Sequence, residues 1–383
     1  METDKVINKR MNAAGIVLAA AIVTETAALW NEYAWYESMA KYTTLISFVF
    51  LIAAFLCAVP PKEAFRDPYF ALAAAGCVTA FINIMIIDSG KGAFLTAADV
   101  LIVAYLAGKL RLGSPVIWFA YIYVGFFFFY WTFDVKGYFK GYNTNYGGLV
   151  LITGFVFAVT GLIAFYERLR KETPAGARFL LGAIVFMFAW GYNIIAWYRA
   201  RCALLGLVVF ALLLLVPAKI WGKRLFYTAV TLAMTAGAIV VSLVYVVLGK
   251  YIRDMDIQVF YKDIISGRDE IWADLWSAFL KMPVTGIGSS YRINVEWMGG
   301  MFEVHNGLLD ILIVHGVIVF ALTFVILVQR LLRLRERAQA SIVARSALSA
   351  AFAILAASFM ENFFIVPPFL LCTLALIAIA GSV

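Results

Sequence analysis

His305 and His315 are the two histidines of the chain. His305 stands with Asn306 where a polar stretch gives way to a long apolar run, so it is expected at the N-terminus of a helix. There the free backbone N–H groups and the helix dipole favour anions and disfavour the imidazolium, which suits a neutral histidine acting as a base beside a bound phosphate. His315 is ten residues deeper, roughly 15 Å along a helix, and reads as a packing or hydrogen-bonding residue. Arg268 precedes Trp272 by four residues and Trp276 by eight. That puts a fixed cation on the apolar stripe of a short amphipathic helix expected over 267–281, where it either snorkels, pairs with an acid such as Asp269, or holds an anion. Ser266, with Asp269 three residues on, has the form of a helix N-cap, and Gly286-Ile287-Gly288 makes a flexible connection after Pro283. Arg201, at the start of another apolar run, and Arg292 are further basic candidates. Glu25, Asp99, Asp310 and Glu361 sit in or at the edges of apolar runs, where ionised carboxylates are costly and usually turn to the bundle interior. Asp310 follows His305 by five residues, off the i+4 spacing of a facing pair, and Glu303 is close to it on the other side. Asp254, Asp256 and Asp263 are scattered, so no divalent-metal site is expected. Cys57, Cys77, Cys202 and Cys372 make neither a disulfide nor a metal framework.

The elements that must position these residues follow from composition. A chain of 383 residues that is 64% hydrophobic, 16% aromatic and 14% charged, with a mean hydropathy of +0.91, has too much apolar surface for one water-soluble core, and its solvent must be lipid. The apolar stretches are continuous, without the alternation of barrel strands, so the expected fold is an all-α polytopic membrane protein with about twelve transmembrane helices. The spans fall near 11–31, 41–59, 69–87, 92–108, 114–133, 147–166, 178–196, 203–217, 226–249, 305–328, 342–361 and 364–382. The first is read as a retained helix, since no small-residue cleavage site follows it. The aromatic run Phe126 to Trp131 is expected to meet lipid or form an interfacial belt.

Of the 31 Lys and Arg residues, 19 fall on the face that holds the N-terminus. Both termini are therefore expected in the cytoplasm. The net charge of +8 belongs to this asymmetry and implies no nucleic acid. The whole of 1–383 reads as one membrane domain carrying a single structured outer loop, 250–304, between the ninth and tenth spans. Outer turns at Lys140 to Gly147 and Tyr198 to Cys202 carry polar residues that lipid packing does not need.

The order of these features resembles the O-antigen ligase and polymerase family of bacterial integral-membrane glycosyltransferases. Asn143-Thr144-Asn145 takes the place of the family's Asn-containing outer turn. Ala200-Arg201-Cys202-Ala203 takes that of its Ser-Arg-small helix start, with Ala200 departing from the usual serine. Gly267-Arg268, Trp272, Pro283, Gly286-Ile287-Gly288, His305-Asn306 and Gly316 follow the family's periplasmic loop in order. The resemblance implies an enzyme of the bacterial inner membrane with a periplasmic active site and no cofactor. It would move a glycan from an undecaprenyl-diphosphate carrier to an acceptor hydroxyl such as that of lipid A-core. By the same resemblance His305 is the catalytic base, Arg201, Arg268 and Arg292 hold the diphosphate, and Asn145, Asn306 and Glu303 support them, in a metal-independent and inverting reaction. One dominant outer loop favours a ligase over a polymerase, which uses the same donor. A transporter of lipid-linked glycan or solute is the reading from another class, but the paired halves with broken helices of such proteins are not evident.

Overall fold

In a computed structural model the chain is described over residues 2–30, 42–87, 89–133, 144–260, 262–300 and 302–383. Its main helices are α1 (Glu2–Trp30), α2 (Thr43–Ala58), α3 (Pro68–Ile86), α4 (Lys91–Leu106), α5 (Ser114–Phe133), α6 (Thr144–Glu172), α7 (Pro174–Tyr198), α8 (Arg201–Leu215), α9 (Arg224–Asp254), α10 (Arg268–Phe279), α11 (Gly307–Leu332), α12 (Ile342–Ala357) and α13 (Pro367–Ser382). Two-residue strands β1 (Gln258–Val259) and β2 (Lys262–Asp263) pair antiparallel in the loop after α9. The protein is an all-α membrane protein. Five stretches, Pro68–Ile86, Gly147–Glu172, Pro174–Tyr198, Arg224–Asp254 and Gly307–Ala340, have the length and apolarity to cross a bilayer, and five further apolar helices are shorter. Large apolar side chains such as Leu212, Leu215, Phe179 and Val247 point outward, as they must when the surrounding solvent is hydrocarbon.

The chain forms two compact units. The first comprises residues 1–107, 235–330 and 358–371, and the second residues 108–234, 331–357 and 372–383. In the second unit α5 lies against α6 at glycine contacts, since a Cβ at Gly154 would come within 2.6 Å of the Phe128 backbone nitrogen. Such close approach is how helices gain dispersion energy in lipid, where no hydrophobic force pushes them together. Phe128 is fully enclosed there and packs edge-on against Phe155 and Trp190, while Phe126 stays exposed. The aromatic run, expected to meet lipid or form an interfacial belt, is thus divided: Phe126 faces outward while Phe127 and Phe128 turn inward, because a helical period carries neighbouring rings to different faces.

In the first unit Asp67 caps α3 by accepting from the Tyr69 N–H at 3.0 Å, and Pro68 occupies the first helical position. The same carboxylate accepts from the Arg330 Nη2 of α11 at 2.8 Å. The Arg330 guanidinium lies 4.7 Å from the Tyr69 ring centre and 5.2 Å from that of Tyr105. Glu25 and Asp99 are buried in this unit, and so are Asp310 and Glu361.

α11 is not one regular helix. Gly316, at φ 84° and ψ 171°, interrupts it, in a region of backbone space open essentially to glycine alone. The break frees backbone groups, and the loop after α10 meets them. Ile287 N–H donates to Ile313 O at 2.8 Å, Gly288 N–H to Val314 O at 3.2 Å, and Val317 N–H to Pro283 O at 2.8 Å. Asn83 of α3 donates its Nδ2 to His315 O at 2.7 Å. Gly286-Ile287-Gly288, expected as a flexible connection, is instead a docked strap.

Candidate active site

Gly267, in the left-handed region at φ 73°, turns the chain so that Arg268 opens α10. No side chain caps this helix. The Ser266 hydroxyl donates to Asp263 O at 2.7 Å instead, so the Ser266 N-cap read from the sequence does not form. Ser266 is itself at φ 50° within the turn, and that conformation aims its side chain back along the chain.

Arg268 is buried, and its Nη2 donates to Met360 O at 2.9 Å and to Glu361 Oε1 at 2.7 Å. Its acidic partner is thus Glu361 and not Asp269. Asp269 and Glu270 receive Arg253 from the end of α9, with Glu270 at 2.9 Å. Glu270 also accepts the Trp297 Nε1–H at 3.1 Å. The Trp297 bond and then Arg253 hold the Glu270 carboxyl below the usual carboxylate range.

Trp272, one turn along α10, donates its Nε1–H to Val304 O at 2.8 Å and packs on the Tyr245 ring, 5.0 Å between centres. That bond fixes the backbone immediately before His305. His305 is in the left-handed region at φ 53°. Asn306 then caps α11, its Oδ1 accepting from Leu309 N–H at 3.1 Å while its Nδ2 donates to Ala238 O at 2.9 Å. Asn362 Oδ1 accepts the Asn306 N–H at 2.8 Å, and Ser358 O accepts the Gly307 N–H at 3.1 Å. The segment between α12 and α13 is in this way tied to the start of α11.

The result is a linked group. Glu361 Oε1 accepts from Arg268, and Glu361 Oε2 lies 3.2 Å from His305 Nδ1. Glu303 Oε1 lies 3.3 Å from the same nitrogen. Carboxylates only accept, so Nδ1 carries the proton in the neutral imidazole and Nε2 is left with the lone pair. This is the arrangement in which a carboxylate orients a histidine base. The carboxylates facing His305 Nδ1 are those of Glu361 and Glu303, and Asp310, five residues along, is buried in α11.

Glu303, His305 and Glu361 also each offer one ligand atom, all within 4.8 Å of one another. The sequence was read as holding no such cluster; it forms because Glu361 arrives from 56 residues beyond His305. These three are the residues among those described that could hold a divalent ion. They would do so against the Arg268 guanidinium, which already occupies one Glu361 oxygen at 2.7 Å and opposes a second cation there.

The other candidates belong to other elements. Arg292 is exposed on the loop before the short 3-10 helix Glu296–Met298. Arg201 is the first residue of α8, in the second compact unit, and is half-buried. Asn145 is in the first turn of α6, and its side chain, like all of Asn143, lies outside the described residues.

A helical membrane protein that presents a buried arginine, a bridging carboxylate and a carboxylate-oriented histidine at a helix start is equipped for proton abstraction beside an anion. Residues 182–324 match the family model described as O-antigen ligase. The match supports an enzyme of the O-antigen ligase type or of the related polymerases. It covers Arg201, Arg268, Arg292, Glu303, His305 and Asn306, and it ends before Glu361. Nothing matches among the curated proteins or among the solved structures.

Proposed function

We propose that this protein is an O-antigen ligase of the bacterial inner membrane, transferring a glycan from undecaprenyl diphosphate to a lipid A-core hydroxyl on the periplasmic face. The observation that carries this reading is the bridge from Arg268 through Glu361 to His305, inside a chain whose residues 182–324 match the O-antigen ligase model.

In this reading the acceptor hydroxyl approaches His305 Nε2 and gives up its proton as the oxygen bonds to the donor's anomeric carbon. The bond from that carbon to the carrier's phosphate oxygen breaks on the opposite face, so the anomeric configuration inverts. The diphosphate leaves with its electron pair, and fixed cations stabilise the charge that develops. Arg268 has a Nε–H with no partner among the described residues, which leaves it donor capacity beyond Glu361. The resemblance assigns Arg201 and Arg292 to the same diphosphate. Asn306 holds the turn that sets His305, Glu303 shares its Nδ1, and Asn145 is assigned to support by resemblance alone. The histidine and arginines supply both the base and the charge stabilisation, so the reaction is proposed to need no metal or cofactor.

The test is complementation of a cell lacking its own ligase at matched membrane levels. Surface polysaccharide joined to lipid A-core in wild type, and its loss in His305→Ala and Arg268→Ala, is the expected result. Carrier-linked chains that lengthen without joining lipid A-core would make the protein a polymerase. Full activity in both variants would remove the site.

A further inference from the structure

The loop after α10 reaches a depth that a periplasmic loop should not. Arg330 and Asp67, joined at 2.8 Å, mark one face of the bilayer, since Asp67 follows the exposed Lys62, Glu63 and Arg66, Arg330 precedes the exposed Arg333, Glu336 and Arg337, and such solvated charges stay out of hydrocarbon. From Arg330 back to Gly316 is 14 residues, about 21 Å of helix. The hydrocarbon core is about 30 Å thick, which leaves Gly316 about 9 Å below the opposite surface. A second helix gives the same depth from the same mark. α3 starts at Pro68 beside Asp67, and Asn83, which bonds His315 O at 2.7 Å, is 15 residues along it, about 22 Å from the same face. Helix tilt, or an ion pair placed among the headgroups, would put both positions deeper.

At that depth the strap lies against the break in α11. Pro283 O, Ile287 N–H and Gly288 N–H take the backbone groups freed around Gly316, and a Cβ at Gly316 would collide with the Val284 carbonyl. The backbone edge and Ile287 are covered, and the side chains ahead of them are not. Leu280, Met282 and Val284 are 70%, 40% and 53% exposed, whereas Glu270, Asn294 and Glu296 are among the outward residues elsewhere in the loop.

We propose that residues 282–288 re-enter the bilayer, with the exposed Lys281 reaching the headgroups, and that lipid hydrocarbon is the partner of Leu280, Met282 and Val284. Irregular backbone at membrane depth survives where protein satisfies its polar groups, and the break in α11 provides that satisfaction in both directions. The element fixes α10, and with it Arg268, at the membrane surface. It rests on the membrane assignment and not on the proposed reaction.

The test uses the wild-type protein in vesicles of a phospholipid with a diazirine in mid-acyl chain. After irradiation and trypsin digestion, the peptide Met282–Arg292 is expected to carry lipid adducts on residues 282–287. Adducts on the α3 and α11 peptides with none on Met282–Arg292 would overturn the proposal. As a second measurement, Val284→Cys should react at least tenfold more slowly than Glu296→Cys with a charged, water-soluble maleimide, and equal rates would overturn it as well.

Discussion

Glu361→Gln separates the charge and orientation of Glu361 from its volume. In the native site one carboxylate oxygen faces Arg268 at 2.7 Å and the other faces His305 Nδ1 at 3.2 Å. A glutamine has one oxygen and one NH2. With its oxygen on Arg268, its NH2 faces Nδ1 and leaves Glu303, at 3.3 Å, as the carboxylate that can hold the ring proton there; in Glu361→Gln combined with Glu303→Gln the proton moves to Nε2. The imidazole of the double variant keeps its place but presents N–H where the acceptor needs a base. Loss of a correctly oriented general base costs about 10²–10⁴ in rate, or about 3–5 kcal/mol of transition-state stabilisation. The assay is the initial rate of glycan transfer by purified enzyme from a carrier-linked donor, with melting temperature measured on the same preparations. Glu361→Ala is the companion. It leaves the buried Arg268 uncompensated and should cost about 3–5 kcal/mol of stability, a loss that Gln largely avoids by retaining an acceptor. A Glu303→Gln, Glu361→Gln double variant within threefold of the wild-type rate would refute the orienting role, whatever the Ala variant does.

Further expectations follow from other parts of the structure. Arg330→Ala breaks a buried pair with Asp67 and should lower stability by about 3–5 kcal/mol; Arg330→Lys should recover only part, since an ammonium cannot stack on Tyr69 and Tyr105 as the guanidinium does. Thermal unfolding in detergent checks both. Gly316→Ala forces a side chain into a glycine-only conformation against Val284 O and should cost at least about 1–3 kcal/mol, read as a lower melting temperature and faster amide exchange in 283–288. Glu270 is held low by Trp297 and Arg253, so its contribution is complete above the unfolded carboxylate value and is lost as pH falls through the folded one. Amide exchange at the start of α10, corrected for intrinsic rates, should therefore quicken below about pH 4.5, and Arg253→Gln should reduce that pH dependence.

The helices were legible because apolar runs in lipid carry their own signal, and each expected span overlaps a helix of the structure, five of which lie in stretches with the length and apolarity to cross a bilayer. His305-Asn306 was legible as a helix start for the same local reason, and Asn306 is the cap. What the chain brings together from afar was not. Glu361 is 93 residues from Arg268 and 56 from His305, and its position at the edge of an apolar run marked it only as a costly carboxylate. Nor was the break at Gly316 legible, because a glycine in a membrane helix is ordinary and only the docking of Pro283 to Gly288 requires the conformation that it adopts. The Ser266 cap failed for a related reason, since the turn that seats Arg268 uses Gly267 and turns the Ser266 hydroxyl away.

His305 is proposed as the base of a glycan transfer. Purified protein supplied with an undecaprenyl-diphosphate-linked glycan and lipid A-core should form the joined product and release undecaprenyl diphosphate, with the rate unchanged by EDTA and lowered at least about 10²-fold in His305→Ala. Equal rates for wild type and His305→Ala, with the product formed in both, would contradict it.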